Sequence, residues 1–167
     1  MKIGRFICLG GILTAIAVLF QSAPAFLPAI GFALSPLSTL PIAIAAVSNI
    51  SLGLPVFISS ALILVIVDVQ ETIILLFTTG LLGIVMGTFL FRNGIIISIL
   101  FSSIALSLGI MVLTYLVCIP AFVDLTMAFS PLFTFLIFFL FSLVYSSIWN
   151  ICLKKGMIYI KKIKLKT

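Results

Sequence analysis

The chain has 167 residues, 64% of them hydrophobic, with 9 Lys and Arg, 3 Asp and Glu and no His. A soluble domain of this length would carry roughly 40 charged side chains, so water is not its main solvent, and the mean hydropathy of +1.53 agrees. That composition excludes a soluble enzyme, a disordered tail, a disulfide scaffold and a nucleic-acid-binding domain, and at about 20 residues per membrane crossing it leaves room for one domain of six crossings and no separate catalytic module.

The first predicted span covers residues 7–25. Lys2 and Arg5 precede its apolar run, and Gln21-Ser22-Ala23-Pro24-Ala25 imitates a signal-peptide cleavage site. Hydrophobicity continues past that site, so the segment is read as a retained helix. The second span, 32–48, is weaker. The stretch 23–41 holds Pro24, Pro28, Pro36 and Pro41, four of the seven prolines, together with Gly31, Ser35, Ser38 and Thr39. A proline inside a helix removes a hydrogen bond and bends or breaks it. Irregular backbone at membrane depth is tolerated where it is buried in protein or lines a cavity. The second span is therefore expected to be irregular, either as a pocket wall or gate or as a bent hairpin without a ligand. Spans three, four, five and six are placed at 54–67, 72–91, 94–119 and 129–153, and a basic tail follows at 154–167. Runs such as 58–67 and 133–143 are apolar on all sides, which fits helices in lipid and not a β-barrel. The expected fold is an all-α membrane protein, with a single six-helix domain over 1–153.

The few charges orient this map. With the N-terminus in the cytoplasm, Lys2, Arg5, Arg92 and the tail lysines Lys154, Lys155, Lys161, Lys162, Lys164 and Lys166 all fall inside, while Asp68, Glu71 and Asp124 fall outside. The basic residues then obey the positive-inside rule. Deleting the second span would put Arg92 and the tail on the opposite side from Lys2 and Arg5, so charge parity supports the weak span. Both termini are expected in the cytoplasm of a cell membrane crossed several times. The tail is expected to lie on anionic lipid headgroups, with Met157, Ile158, Ile160, Ile163 and Leu165 dipping in. Tyr145, Trp149 and Tyr159 are read as interface anchors.

Most chemistry is missing. There is no P-loop motif, no histidine for proton shuttling or metal binding, and no mid-span ionisable residue. Cys8, Cys118 and Cys152 stand apart in apolar runs, which reads as buried small side chains and not as a zinc site. No catalytic residue, metal or cofactor is expected, and the chain is not expected to be an enzyme or a self-powered pump. The remaining polar groups gather near the outer surface: Gln21, Ser22, Gln70, Thr78, Thr79, Thr114, Tyr115, Thr126, Ser130 and Thr134, level with Asp68, Glu71 and Asp124. A shallow outward pocket from these, walled by Phe26, Phe122, Phe129 and Phe133, would have the usual make-up of a small-molecule site. The candidate substrate-binding residues are Gln21, Ser38, Thr39, Gln70, Glu71, Thr79, Tyr115, Asp124 and Ser130. The simpler alternative is that they decorate helix ends facing water, with Asp68 and Glu71 as solvated caps at a tight turn. Small residues also recur at helical spacing. Gly11 and Ala15 in span one, and Gly80, Gly83 and Gly87 in span four, suit close helix packing within one chain or between chains.

Six short spans with both ends inside, the Gly11-Ile12-Leu13-Thr14-Ala15 pair, the proline-rich Ser35-Pro36-Leu37-Ser38-Thr39-Leu40-Pro41 entry to span two, and the glycine-rich Thr79-Gly80-Leu81-Leu82-Gly83-Ile84-Val85-Met86-Gly87 ending at Arg92 together resemble the substrate-binding S component of energy-coupling-factor (ECF) transporters of bacterial cell membranes, or a related small six-span family. Gly11 stands where the family pattern has alanine. The resemblance implies a subunit that binds a small molecule such as a vitamin from outside and has no ATPase of its own. Its partners would be a transmembrane coupling subunit, docked through Gly11 and Ala15, and two cytoplasmic ATPase subunits. The open alternatives are a structural or regulatory membrane subunit without a small ligand, and a small passive channel or exporter.

Overall fold

The computed structural model describes residues 3–115 and 130–164. They form helices and turns, with no strand among them: α1 (Ile3–Gln21), α2 (Ala23–Phe26), α3 (Pro28–Leu34), a 3-10 turn (Ser35–Ser38), α4 (Thr39–Ser48), α5 (Ile50–Val67), α6 (Val69–Ile74), a π-helical segment (Leu75–Thr79), α7 (Gly80–Phe89), α8 (Ile95–Tyr115) and α9 (Pro131–Lys164). They supply 6 helical segments long and apolar enough to cross a membrane. The surface they present is greasy: Ile66 is 86% exposed and Leu132 81%. Side chains of this kind on the outside of a bundle belong against lipid. This is an all-α, multi-pass membrane protein.

The ends of the helices follow local chemistry. The first span stops at Gln21, earlier than expected, because the chain turns at Ser22 into the short α2. Span three starts a full turn before the expected 54. Asn49, in extended backbone, accepts a hydrogen bond from the Ser51 amide and caps α5, so Pro55 falls inside the helix and not at its start. Asp68 caps α6 in the same way, accepting from the amides of Gln70 (2.7 Å) and Glu71 (3.4 Å). The chain reverses between α7 and α8 through Gly94, whose φ of +90° is one that glycine adopts without strain. The basic tail is not a separate element up to Lys164, since α9 runs through it without a break.

Packing is built on backbone proximity. α4 sits centrally, against α1, α5 and α7, while α9 packs on α8. In lipid, apolar surface gains little from meeting apolar surface, so association depends on close fit and on polar contacts. The G-x-x-x-G of span four provides the fit. A Cβ built on Gly83 would stand 2.9 Å from the Thr39 carbonyl oxygen, and one on Gly87 2.5 Å from that of Ala43. This glycine face is consumed inside the chain. Gly11 is the opposite case, with nothing within 4 Å of its Cβ position. One set of polar contacts forms the seam of α8 and α9, partly across it and partly along α9. Ser98 donates to the Asn150 side-chain oxygen (2.6 Å), Asn150 donates to Ser146 Oγ (3.2 Å), and Ser103 and Ser146 reach carbonyls of the facing helix.

Gly87→Val should push α4 and α7 apart, at a cost of about 1–3 kcal/mol, seen as a lower thermal midpoint in detergent. Gly11→Val should leave the midpoint unchanged, and equal effects at the two positions would contradict this packing.

Candidate functional site

The site begins with the way α6 starts. Asp68 at its N-cap places Glu71 at the third helical position. There a glutamate commonly folds back onto the cap amide. Here Asp68 already satisfies the first amides, and Glu71 turns inward to become only 5% exposed. It meets Gln21, the last residue of α1 and fully buried, whose Nε2 donates to Glu71 Oε2 at 2.8 Å. The other end of the Gln21 amide is equally engaged. Its Oε1 accepts from Ser38 Oγ at 2.7 Å and from Thr79 Oγ1 at 2.9 Å. A carboxylate has no hydrogen to give, so the amide nitrogen has to face Glu71, and the oxygen then uses both lone pairs on the two hydroxyls. One glutamine thereby joins the end of α1, the 3-10 turn before α4, the start of α6 and the π-helical segment.

This network borders a cavity of about 530 Å³. Gln70 lies at its exposed edge. Glu71, Ile74, Thr78 and Thr79 form one wall, Phe32, Ser35 and Pro36 another, Leu106, Ile110 and Leu113 of α8 a third, and Phe141 and Tyr145 of α9 close it. Its volume and its mainly apolar lining with a few polar groups suit a small molecule. Phe141, Tyr145 and Trp149 run along one face of α9, with ring centroids 6.0 and 6.2 Å apart. Among the described residues no three metal-ligating side chains gather in one place.

The candidate residues divide. Gln21, Ser38, Glu71 and Thr79 meet in one network, and Gln70, Glu71 and Thr79 line the cavity. Thr39 is fully buried, and its hydroxyl has no partner among the described residues. Tyr115, 46% exposed at the end of α8, does not line the cavity. Ser130 is exposed and accepts the first hydrogen bonds of α9 from Thr134 through its carbonyl. Asp124, like Phe122, Thr126, Phe129 and Cys118, lies outside the described residues. The expected walls are also replaced. Phe26 and Phe133 point outward, and Phe32, Phe141 and Tyr145 do the walling. Tyr145 is thus turned into the cavity and is not only an interface anchor. The reading of Glu71 as a solvated cap is corrected as well: Asp68 is the cap, and Glu71 is buried. Cys8 and Cys152 are exposed, not buried. The serines of α8 and α9 carry a signal that went unused: Ser98, Ser102 and Ser142, Ser146, Asn150 repeat every four residues, the spacing of a helix–helix seam.

Compared with known proteins, the chain matches no family model, no curated protein and no solved structure.

Gln21→Leu should leave Glu71, Ser38 and Thr79 without their common partner, lowering stability by about 1–3 kcal/mol for each buried group left unpaired. A thermal midpoint equal to that of the unaltered protein would remove the network from its structural role.

Proposed function

We propose that this protein is a membrane-embedded capture subunit: it binds a small molecule in the cavity beside Glu71 and depends on partner subunits for energy, in the manner of an ECF-type S component. The observation that carries this reading is the cavity, which is well sized, largely apolar and bordered by a fully engaged polar network. A pocket that only filled space between helices would not need a buried carboxylate at its edge, because burying one is costly. The basic residues Arg5, Arg92 and Lys154 stand about one membrane span along the chain from Gln21, Glu71 and Thr134. By the positive-inside rule the Glu71 end faces outside the cell and the termini face the cytoplasm. The cavity then opens toward an external supply. The chain carries no nucleotide-binding motif, so ATP-driven uptake would be energised by a coupling subunit with two cytoplasmic ATPases.

The docking surface in this reading is the outer face of α1. Gly11 and Ala15 are exposed and line an apolar groove of about 420 Å³ between α1 and α5, with Gly10, Thr14 and Pro55. The open space over Gly11 lets another helix come close. The same groove supports a second reading, a structural or regulatory subunit that uses it to assemble with other membrane proteins and holds no small ligand.

Native mass spectrometry separates the two. The capture reading expects a non-lipid small molecule to stay with the purified protein and to be lost in Ile74→Trp, which fills the cavity; a bare protein in both cases favours the structural reading. Gly11→Leu should abolish co-purification with the coupling and ATPase subunits while the thermal midpoint stays unchanged. Unaltered co-purification would place docking elsewhere.

A further inference from the structure

The cavity holds a carboxylate without a cation. Among the described residues Glu71 accepts one side-chain hydrogen bond, from Gln21 to Oε2, and none of them donates to Oε1. Nor can the chain readily supply a positive charge there. It has no histidine, and residues 116–129, which join α8 to α9, contain no lysine or arginine. Arg92 lies about 30 Å further along the span that Glu71 begins, at 1.5 Å per residue. Arg5 opens α1 while Gln21 closes it, and Lys154 and Lys155 lie far along α9 from its start at Pro131. A buried charge is ordinarily paired, and leaving it alone in a low-dielectric site is costly. A cationic ligand in the cavity would supply the charge that favours the ionised form.

We propose that the cavity takes a small organic cation, an ammonium group on an apolar or aromatic body, whose charge meets the free oxygen of Glu71. This rests on the reading of the cavity as a ligand site and adds the class of ligand. Gln21 holds the carboxylate in place, and because Ser38 and Thr79 occupy the amide oxygen, it cannot swing away. The apolar body lies along Leu106, Ile110 and Leu113. Phe32, Phe141 and Tyr145 offer ring faces that attract a cation. A bare metal ion fits poorly, since it calls for about six oxygens, carboxylates foremost, and among the described residues Glu71 is the one carboxylate that lines the cavity and no three metal-ligating side chains gather anywhere. An anion would meet the carboxylate's own charge, and a neutral molecule would leave it unpaired.

The test compares three probes of one shape and different charge, naphthylethylamine, naphthylethanol and naphthylacetate, titrated at neutral pH into the full-length protein in phosphatidylcholine nanodiscs. Ile74→Trp is measured alongside to subtract partition into lipid. The amine should bind about tenfold more tightly than the alcohol, the scale of one charge-assisted hydrogen bond, and the acetate should not bind. Glu71→Gln keeps an oxygen for Gln21 and should erase the preference while alcohol binding persists; Glu71→Asp should retain it. Equal binding of amine and alcohol, or a preference for the acetate, with all binding still lost in Ile74→Trp, would overturn the cation and leave the cavity standing. Binding of all three probes unaffected by Ile74→Trp would overturn both. The amine–alcohol comparison on the unaltered protein decides the matter even if a Glu71 variant does not fold.

Discussion

Everything distinctive about this molecule turns on one amide. Gln21 is fully buried at the end of the first helix, and its two ends hold a carboxylate and two hydroxyls contributed by three other segments. In water each of these bonds would be worth little, because every partner could hydrogen-bond to solvent instead. Inside a lipid-embedded bundle that exchange is unavailable, so an unmade bond is a full loss. The ends of the first span, the proline-rich second span and the fourth span are therefore tied at one point by a requirement that apolar side chains cannot impose. Leu and Ile can slide past one another at small cost; a glutamine with both lone pairs used and a carboxylate to satisfy cannot.

The rest of the bundle is arranged to make that point reachable. Glycines at positions 83 and 87 let α7 lie on the backbone of α4, which holds the 3-10 turn bearing Ser38 beside the π-helical segment bearing Thr79. π-helical turns are uncommon and are frequent at functional sites, and Thr79 closes this one. Gly109 brings α8 against the carbonyl of Phe77 in the same segment, so the wall formed by Leu106, Ile110 and Leu113 follows. On the far side, α9 is fastened to α8 by a serine and asparagine seam, which sets the rotation of α9 and brings Phe141 and Tyr145 round to the cavity. Two kinds of helix contact, one made by glycine and one by hydroxyls, thus surround a space that neither fills. At its edge Glu71 keeps one oxygen to which no described residue donates, and this gives the cavity its proposed chemical preference.

The outer face of α1 plays a different part. Its small residues are not used internally: the Cβ position of Gly11 is empty, whereas those of Gly83 and Gly87 collide with backbone. Two glycine-containing stripes that look alike in sequence therefore have opposite fates. In the proposed function one end of α1 holds the ligand-side network, and its lipid-facing flank meets the energising partner. A single rigid helix would then connect the two events.

Composition and charge were enough to establish an all-α bundle with six long apolar helices, because the absence of water forces backbone groups to pair within each segment and drives charged residues to the ends. They also singled out nine polar candidates, among them Gln21, Ser38, Glu71 and Thr79, since polar residues in so apolar a chain have few uses; Tyr115 and Ser130, chosen on the same ground, do not line the cavity. What sequence could not supply was the meeting itself. Gln21 and Glu71 are 50 residues apart and Gln21 and Thr79 58, and no periodicity within either helix tells which way the other will face. The same limit explains the misplaced walls: Phe26 and Phe133 are near the right end of their helices but on the lipid side, and rotation about a helix axis is decided only by what the neighbouring helices leave open. Sequence determined which residues are too polar to be surrounded by lipid; tertiary packing alone decided which of them would find each other, because a hydrogen bond needs its partners within about 3 Å and only the assembled bundle fixes distances on that scale.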